Sequence, residues 1–198
     1  MNIPKLFKSF STHTKFCIIG GGTGGLNLSA HLLRERIPAT DIRIFDPSPK
    51  HYYQPGWTMV GANLCTSDLT EANMKEVLPS DINKTTDKVV NVDAEKRTIK
   101  TANGQEWTYD QLIFASGLEY NWQKIKGAKE LLDDPHSNVG TIYTKEYAEK
   151  TARIGQQFKG GKAIFTEPPM PIKCAGAPQK ILYLWADQWK KAGVTADV

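Results

Sequence analysis

The stretch that decides the fold is residues 16–46, which read FCIIGGGTGGLNLSAHLLRERIPATDIRIFD. It opens with a wholly apolar run, residues 16–19, of the kind that forms a buried parallel strand. A glycine-rich turn, a helical stretch over 26–36 and a second apolar strand over 42–45 follow directly. Because strand, turn, helix and strand come in this order and at this spacing, the sequence predicts the start of a parallel α/β sheet.

The glycines between the first strand and the helix predict a dinucleotide site. Gly20 permits the tight turn, Gly22 lets the backbone approach a pyrophosphate, and Gly25 lets the helix pack closely on the sheet. Thr23 and Gly24 complete the turn at the helix N-terminus, where N–H groups and the helix dipole favour an anion. A glycine-rich turn without a ligand is the weaker alternative, because the whole surrounding pattern is present.

Asp46 ends the second strand, 21 residues after Gly25. A carboxylate at this position suits the hydroxyls of an adenosine ribose, whereas a site for NADP would carry a basic residue there. The sequence therefore predicts a dinucleotide whose ribose is not phosphorylated.

The loop after Asp46, residues 47–57, contains three prolines and three aromatic residues. Prolines fix the backbone and aromatic rings need cover, so the loop is expected to be structured. We expect it to run along the cofactor with Gln54 as a polar contact. Aromatic packing beneath the loop is the alternative interpretation.

From Val89 onward, the sequence pattern changes to short apolar stretches separated by turn residues. Short strands over 89–92, 98–101 and 106–109, separated by turns, predict an antiparallel β-meander. The apolar run 112–117 then returns to the parallel sheet. Val89 is expected beside an adenine, and Gly117 would allow close approach to the pyrophosphate from the other side.

Composition excludes several classes of protein. The chain has 198 residues, 40% hydrophobic and 23% charged, enough for one large domain or somewhat more. The net charge of +4 is small and scattered, which argues against a nucleic-acid partner. Cysteines at 17, 65 and 174 form neither a metal-binding cluster nor a disulfide framework. No apolar run is long enough to cross a bilayer.

The segment from Met1 to Lys15 is basic and contains no acidic residue. Its apolar residues recur at helical spacing, which would give a helix one apolar and one basic face. This composition is typical of a mitochondrial transit peptide, and an unstructured leader or a surface helix is the alternative.

Two motifs add a family resemblance to these features. The first is His51-Tyr52-Tyr53-Gln54-Pro55, and the second is Ala163-Ile164-Phe165-Thr166 leading to residues 171–180, PIKCAGAPQK. With the glycine turn, the terminal acid and the meander, the chain resembles the two-dinucleotide-fold flavoprotein disulfide reductases, and among them the mitochondrial sulfide:quinone oxidoreductases. The resemblance implies FAD as cofactor, sulfide as electron donor, a quinone as acceptor and association with the mitochondrial inner membrane.

Cys174 is the candidate redox residue. Pro178 suits the first turn of a helix that runs to about Lys191, so Cys174 should lie just before a helix N-terminus and next to Lys173. Both neighbours favour a thiolate, the form that attacks sulfur or flavin. Cys17 is expected in the core, and an inert loop cysteine is the alternative for Cys174.

The resemblance also implies what a complete member contains. In the family, sulfide attacks a sulfur bridge between two redox cysteines, and Cys174 matches the one that becomes a persulfide. The second cysteine, a later Gly-Asp motif and membrane-dipping helices match no part of these 198 residues, so the chain is expected to be truncated and inactive alone.

The predicted fold is α/β: a doubly wound parallel, Rossmann-like FAD-binding sheet with an antiparallel β-meander, plus the start of an incomplete second α/β domain. We expect a targeting segment at 1–15, an FAD-binding domain at 16–130 and a second domain at 140–198. A type-two NADH:quinone dehydrogenase and a non-catalytic truncated FAD-domain protein are the alternatives.

Overall fold

A computed structural model describes residues 12–198. The predicted targeting segment falls mainly on residues 1–11, outside the described residues. The strands are β1 (Thr12–Ile19), β2 (Ile42–Phe45), β3 (Lys50–Tyr52), β4 (Glu71–Asn73), β5 (Asn83–Thr85), β6 (Val89–Asp93), β7 (Thr98–Thr101), β8 (Glu106–Phe114), β9 (Gly161–Lys162) and β10 (Ala196–Asp197). The helices are α1 (Thr23–Arg34), α2 (Trp57–Gly61), α3 (Met74–Val77), α4 (Ala128–Asp133), α5 (Lys145–Gln157) and α6 (Gly176–Lys191).

Six strands form the main sheet in the order β5-β2-β1-β8-β7-β6. The four strands from β5 to β8 run parallel, and β7 and β6 continue the sheet in antiparallel fashion. The predicted α/β fold with a β-meander is therefore confirmed. The order also reverses at β1, because the chain passes from β1 to β2 on one side and returns in β8 on the other.

Two strands are longer than the sequence predicted. The third meander strand and the returning parallel strand are one continuous strand, β8, which pairs with β7 and with β1. Asp110 and Gln111, which lie between the two predicted strands, are exposed positions within this strand. Likewise β1 begins at Thr12, because its polar residues pair with the first half of β8.

The main sheet is buried on both faces. Side chains alternate across β1, so Cys17 and Ile18 are both fully buried on opposite faces. One face packs against α1 through the isoleucines Ile18, Ile42, Ile44 and Ile82. The other carries the cluster Cys17, Phe45, Ile99, Trp107 and Tyr109.

The chain divides into two compact units. The first contains residues up to 52 and 72–117, and the second contains 53–71 and 118–198. Residues 53–71, which lie between the two parts of the first unit in the sequence, thus belong to the second unit. The predicted domains at 16–130 and 140–198 instead follow each other along the chain. Those functional limits stay a prediction.

The second unit has a core rich in tryptophan. Trp185 and Trp189 of α6 stack with ring centroids 5.6 Å apart. Their indole N–H groups donate to the carbonyl oxygens of Gly61 and Gly155, each at 2.9 Å. Segment 53–71 is therefore joined to α6 by a buried hydrogen bond as well as by packing. Within residues 12–198, no helix is both long and apolar enough to span a bilayer.

Candidate functional site

Two glycines of the turn after β1 cannot carry a side chain. Gly20 has φ +108°, and a Cβ there would collide with the carbonyl oxygen of Ala115. A Cβ at Gly25 would collide with the carbonyl oxygen of Gly20. These contacts hold the turn against the end of β8 and close the first turn of α1 onto the sheet, which is where the predicted fingerprint needs glycine.

Two other glycines of the turn, Gly22 and Gly24, face outward, whereas Gly21 is buried against Asp46. Gly22, Thr23 and Gly24 are exposed at the start of α1. Gly22 has φ −70° and ψ −170°, and a Cβ there would meet nothing within 4 Å. No side chain caps the helix at Gly22. The start of α1 is therefore exposed and has no side-chain cap at the reversal point of the sheet, where ligands of such sheets bind.

Asp46 lies beside this turn. Its role toward a ribose stays a prediction. One carboxylate oxygen accepts the N–H of Gly21 at 2.5 Å, and the other accepts the N–H of Ser48 at 2.6 Å. The two bonds fix the plane of the carboxylate. Each oxygen retains a lone pair that a ribose hydroxyl can use.

Sequence reasoning missed Lys84, which lies on β5 next to Asp46. Its ammonium donates to the carbonyl oxygens of Asp46 at 2.6 Å and of Ser48 at 3.0 Å. Burial lowers the pKa of Lys84, and the charge of Asp46 opposes this shift. The strand that carries Lys84 is short and polar, so only its pairing with β2 specifies it. No local pattern in the sequence marks Lys84, because it lies 38 positions from Asp46.

Gly117 and Val89 belong to the same unit as the turn. Gly117 follows β8 with φ +76°, and a Cβ there would meet nothing within 4 Å. Its neighbour Ser116 lies against Gly20, so the loops after β1 and β8 come together. Val89 begins β6, pairs with Thr101 and is partly buried. Their roles toward a nucleotide stay predictions.

Gln54 and Cys174 lie in the second unit, and Lys173 connects them. The Lys173 ammonium donates to the Gln54 side-chain oxygen and to the Tyr120 hydroxyl, the latter at 2.9 Å. It also lies over the ring of Trp57, 5.4 Å from the centroid. The sequence linked Gln54 only to the cofactor, and the structure adds its contact with the residue before the candidate redox cysteine.

Cys174 is exposed and immediately precedes Ala175, the N-cap of α6. The helix begins at Gly176, two residues before the predicted start. The backbone carbonyl of Cys174 accepts a hydrogen bond from the Tyr143 hydroxyl at 3.3 Å. The pKa of Tyr143 is raised by burial first and then by nearby groups that include Cys174. Cys174 thus occupies an accessible loop that is tied to the second unit through its backbone.

The other cysteines differ in exposure. Cys17 is fully buried in β1, and burial raises the pKa of its thiol to about 12, in agreement with the predicted core role. Cys65 is partly exposed. Among residues 12–198, no three His, Cys, Asp or Glu side chains converge to hold a metal ion.

Comparison with known proteins agrees with this geometry. Residues 14–160 match the family described as pyridine nucleotide-disulphide oxidoreductase. The chain belongs to this family. It is therefore related to flavin oxidoreductases, and membership implies a cofactor of the flavin type.

Relatives within this oxidoreductase family carry a more specific name. The chain is 38% identical over 181 residues to a mouse protein and 39% identical over 182 residues to one of Dictyostelium discoideum, each named mitochondrial sulfide:quinone oxidoreductase. Each alignment covers 91% of this chain and 40% of the relative. The chain thus spans about two fifths of the length of these relatives. The predicted resemblance is confirmed.

The fold has a counterpart in a solved structure. The sulfide:quinone oxidoreductase of Aquifex aeolicus superposes with a TM-score of 0.70 at 22% identity. The match covers 93% of this chain and 41% of the Aquifex chain. At this identity, the likeness supports the fold of the pyridine nucleotide-disulphide oxidoreductases and carries no residue assignments.

Proposed function

We propose that this chain forms the FAD-binding and sulfur-reactive part of a sulfide:quinone oxidoreductase. The main support for the proposal is that the glycines of the turn differ in the space available for a side chain. A Cβ at Gly20 or Gly25 would collide with backbone atoms, so packing within the protein requires glycine at both positions. A Cβ at Gly22 would meet nothing within 4 Å, so packing within the protein does not require glycine there. A ligand that contacts the backbone explains the absent side chain at Gly22.

The first unit's residues fit the FAD assignment. The N–H groups at the start of α1 would bind the pyrophosphate, and the preoriented Asp46 would accept the ribose hydroxyls. Val89 and Gly117 would lie along the adenine and the pyrophosphate. When bound, FAD supplies two-electron acceptance, the chemistry that joins a sulfur donor to a quinone.

Cys174 is the proposed redox residue. Cys174 is exposed, whereas Cys17 is buried and Cys65 is partly exposed, and Cys174 lies just before the N-terminus of α6. The Tyr143 hydroxyl donates to the backbone carbonyl of Cys174, and the preceding residue, Lys173, donates to the Gln54 side chain. In the complete protein, Cys174 would form a sulfur bridge with a second redox cysteine. Sulfide would attack this bridge, which leaves Cys174 as the persulfide and releases the second cysteine as a thiolate. The relatives' name supplies sulfide and quinone as the substrates.

The NADH:quinone dehydrogenase alternative is less well supported. It would place a second glycine fingerprint at the start of the second dinucleotide fold. Residues 163–169, which follow β9, read AIFTEPP and contain no glycine.

The FAD assignment is tested with Gly22→Val. The side chain has open space in the protein, so the variant should fold, while the added methyl groups should block the approach of the pyrophosphate. We expect yellow wild-type protein that releases FAD on denaturation, and a folded variant without flavin absorbance. Release of NAD, or flavin retained by Gly22→Val, would contradict the assignment.

We also propose a mitochondrial location, based on the relatives' names and the basic segment from Met1 to Lys15. Association with the inner membrane is proposed from the family resemblance alone. A reporter fused to this segment should enter mitochondria. A variant with Lys5, Lys8 and Lys15 replaced by glutamate is the control, and it should stay in the cytosol.

A further inference from the structure

We propose that Lys84 is a positioning residue of the nucleotide site, which holds the turn after β2 so that the Asp46 carboxylate faces the adenosine ribose. The proposal rests on the FAD site proposed above and adds a residue that lies far from the glycine fingerprint in sequence.

The ammonium of Lys84 is fully engaged by protein oxygens. A lysine has three N–H donors, and the structure gives Lys84 three acceptors. These are the carbonyl oxygens of Asp46 at 2.6 Å and Ser48 at 3.0 Å and the hydroxyl of Thr86 at 3.2 Å. One cation therefore connects β5 with two peptide groups of the neighbouring turn.

Those two peptide groups belong to the turn that orients Asp46. The carboxylate of Asp46 accepts the N–H of Ser48, and the hydroxyl of Ser48 donates to the carbonyl of Lys50 at 2.7 Å. Lys84 fixes the carbonyl side of this turn while the N–H groups fix the carboxylate. Without Lys84, two partly buried carbonyls lose a charged donor, and the turn gains freedom to rotate the carboxylate away from the ligand.

The same contacts decide nucleotide specificity. A basic residue near the acid that ends the second strand ordinarily indicates a bound 2′-phosphate. The Lys84 ammonium is instead committed to three oxygens of the protein and is attracted by the charge of Asp46. The site should therefore take an adenosine ribose with a free 2′-hydroxyl and reject its 2′-phosphate.

The test compares the full 198-residue chain with Lys84→Met, which keeps the length of the stem and removes the donors. FAD affinity is measured by flavin fluorescence, and thermal stability is measured without flavin. Loss of a charged hydrogen-bond network that orients a ligand group should weaken FAD binding by about tenfold or more. The matched control is Lys100→Met, an exposed lysine of β7, which should change affinity by less than about twofold.

A purely structural role makes a different prediction. It would lower the melting temperature of the flavin-free variant and leave the affinity of the folded protein for FAD unchanged. Lys84→Arg keeps the charge, but its planar guanidinium cannot direct three donors to the same acceptors. It should bind FAD with intermediate affinity, and it carries the test if Lys84→Met does not fold.

Specificity is read by displacing FAD with ADP or with 2′-phosphorylated ADP. The wild-type chain should prefer ADP. Unchanged FAD affinity in both Lys84 variants, or a preference for the 2′-phosphate that Lys84→Met abolishes, would overturn the role of Lys84. Failure of the wild-type chain to bind FAD or ADP would overturn the proposed FAD site itself.

Discussion

The glycine turn of the first unit and the cysteine loop of the second unit are built in opposite ways. The turn uses backbone groups from one contiguous stretch, 20–25, with Asp46 added by a single hydrogen bond. The cysteine loop is surrounded by side chains from distant parts of the chain, since Lys173 contacts residues 119 and 53 positions away. A site built from contiguous backbone groups can be recognised from a local sequence motif. A site built from side chains distant in the sequence can be recognised only from the folded structure.

The first prediction breaks the backbone site. Gly25→Ala should destabilise the first unit by roughly 3 kcal/mol or prevent its folding, because the new Cβ meets a carbonyl oxygen that cannot move away. Gly24→Ala is the matched control in the same turn. Its Cβ would lie 3.8 Å from that of Ala115, so it should be neutral or stabilise α1 by up to about 1 kcal/mol.

Urea unfolding of both variants measures the contrast. Equal stability of the two would mean that the turn relaxes around a side chain, and that backbone contact does not specify Gly25.

The second prediction compares the thiols of the two units. Cys174 is exposed and Cys17 is fully buried, so iodoacetamide should label Cys174 about a thousandfold faster in the native protein. Cys65 should react at an intermediate rate. Peptide mass spectrometry over a time course reads all three rates, and urea-unfolded protein, in which the rates should converge, is the control.

Labelling of Cys174 and Cys65 at the same rate across a pH series would contradict the greater reactivity expected of Cys174.

The third prediction concerns the pH dependence of the first unit. The Cys17 thiol has an ordinary pKa of 9.0, which burial raises to about 12. Between these values the unfolded chain loses a proton that the folded protein retains. The contribution of this thiol to stability is thus complete below pH 9 and is lost as pH rises toward 12, at about 1.4 kcal/mol per pH unit.

Cys17→Ala should remove this decrease of the unfolding free energy with rising pH, although the variant is less stable at every pH. Cys65→Ala should preserve the decrease. Unfolding free energies at pH 8, 9 and 10 give the comparison. Parallel pH profiles for wild type and Cys17→Ala would show that Cys17 titrates normally.

The smallest effect is expected at Lys173. Its ammonium is directed at Gln54 and Tyr120, so Lys173→Met should slow alkylation of Cys174 by no more than about threefold at constant pH. Lys180→Met, on the following helix, is the control for removal of one positive charge. A tenfold loss at Lys173 alone would show that this lysine acts directly on the thiolate.

The sequence by itself determined the elements whose signal is local. The apolar run before the glycines, the glycine spacing and the acid at position 46 indicated β1, the turn, α1 and β2, and the structure contains all four. These features are readable because period, turn chemistry and strand length act between near neighbours. The two motifs near Gln54 and Cys174 likewise indicated the family.

Only the tertiary structure decided the features that depend on pairing. Asp110 and Gln111 continue β8 because β1 pairs with that strand along its length, and no local pattern specifies this. The polar strand with Lys84 forms because β2 offers it an edge, and its lysine reaches Asp46 only through that register. The contact of Lys173 with Gln54 has the same origin: residues distant in the chain meet when burial of the tryptophan core folds residues 53–71 into the second unit.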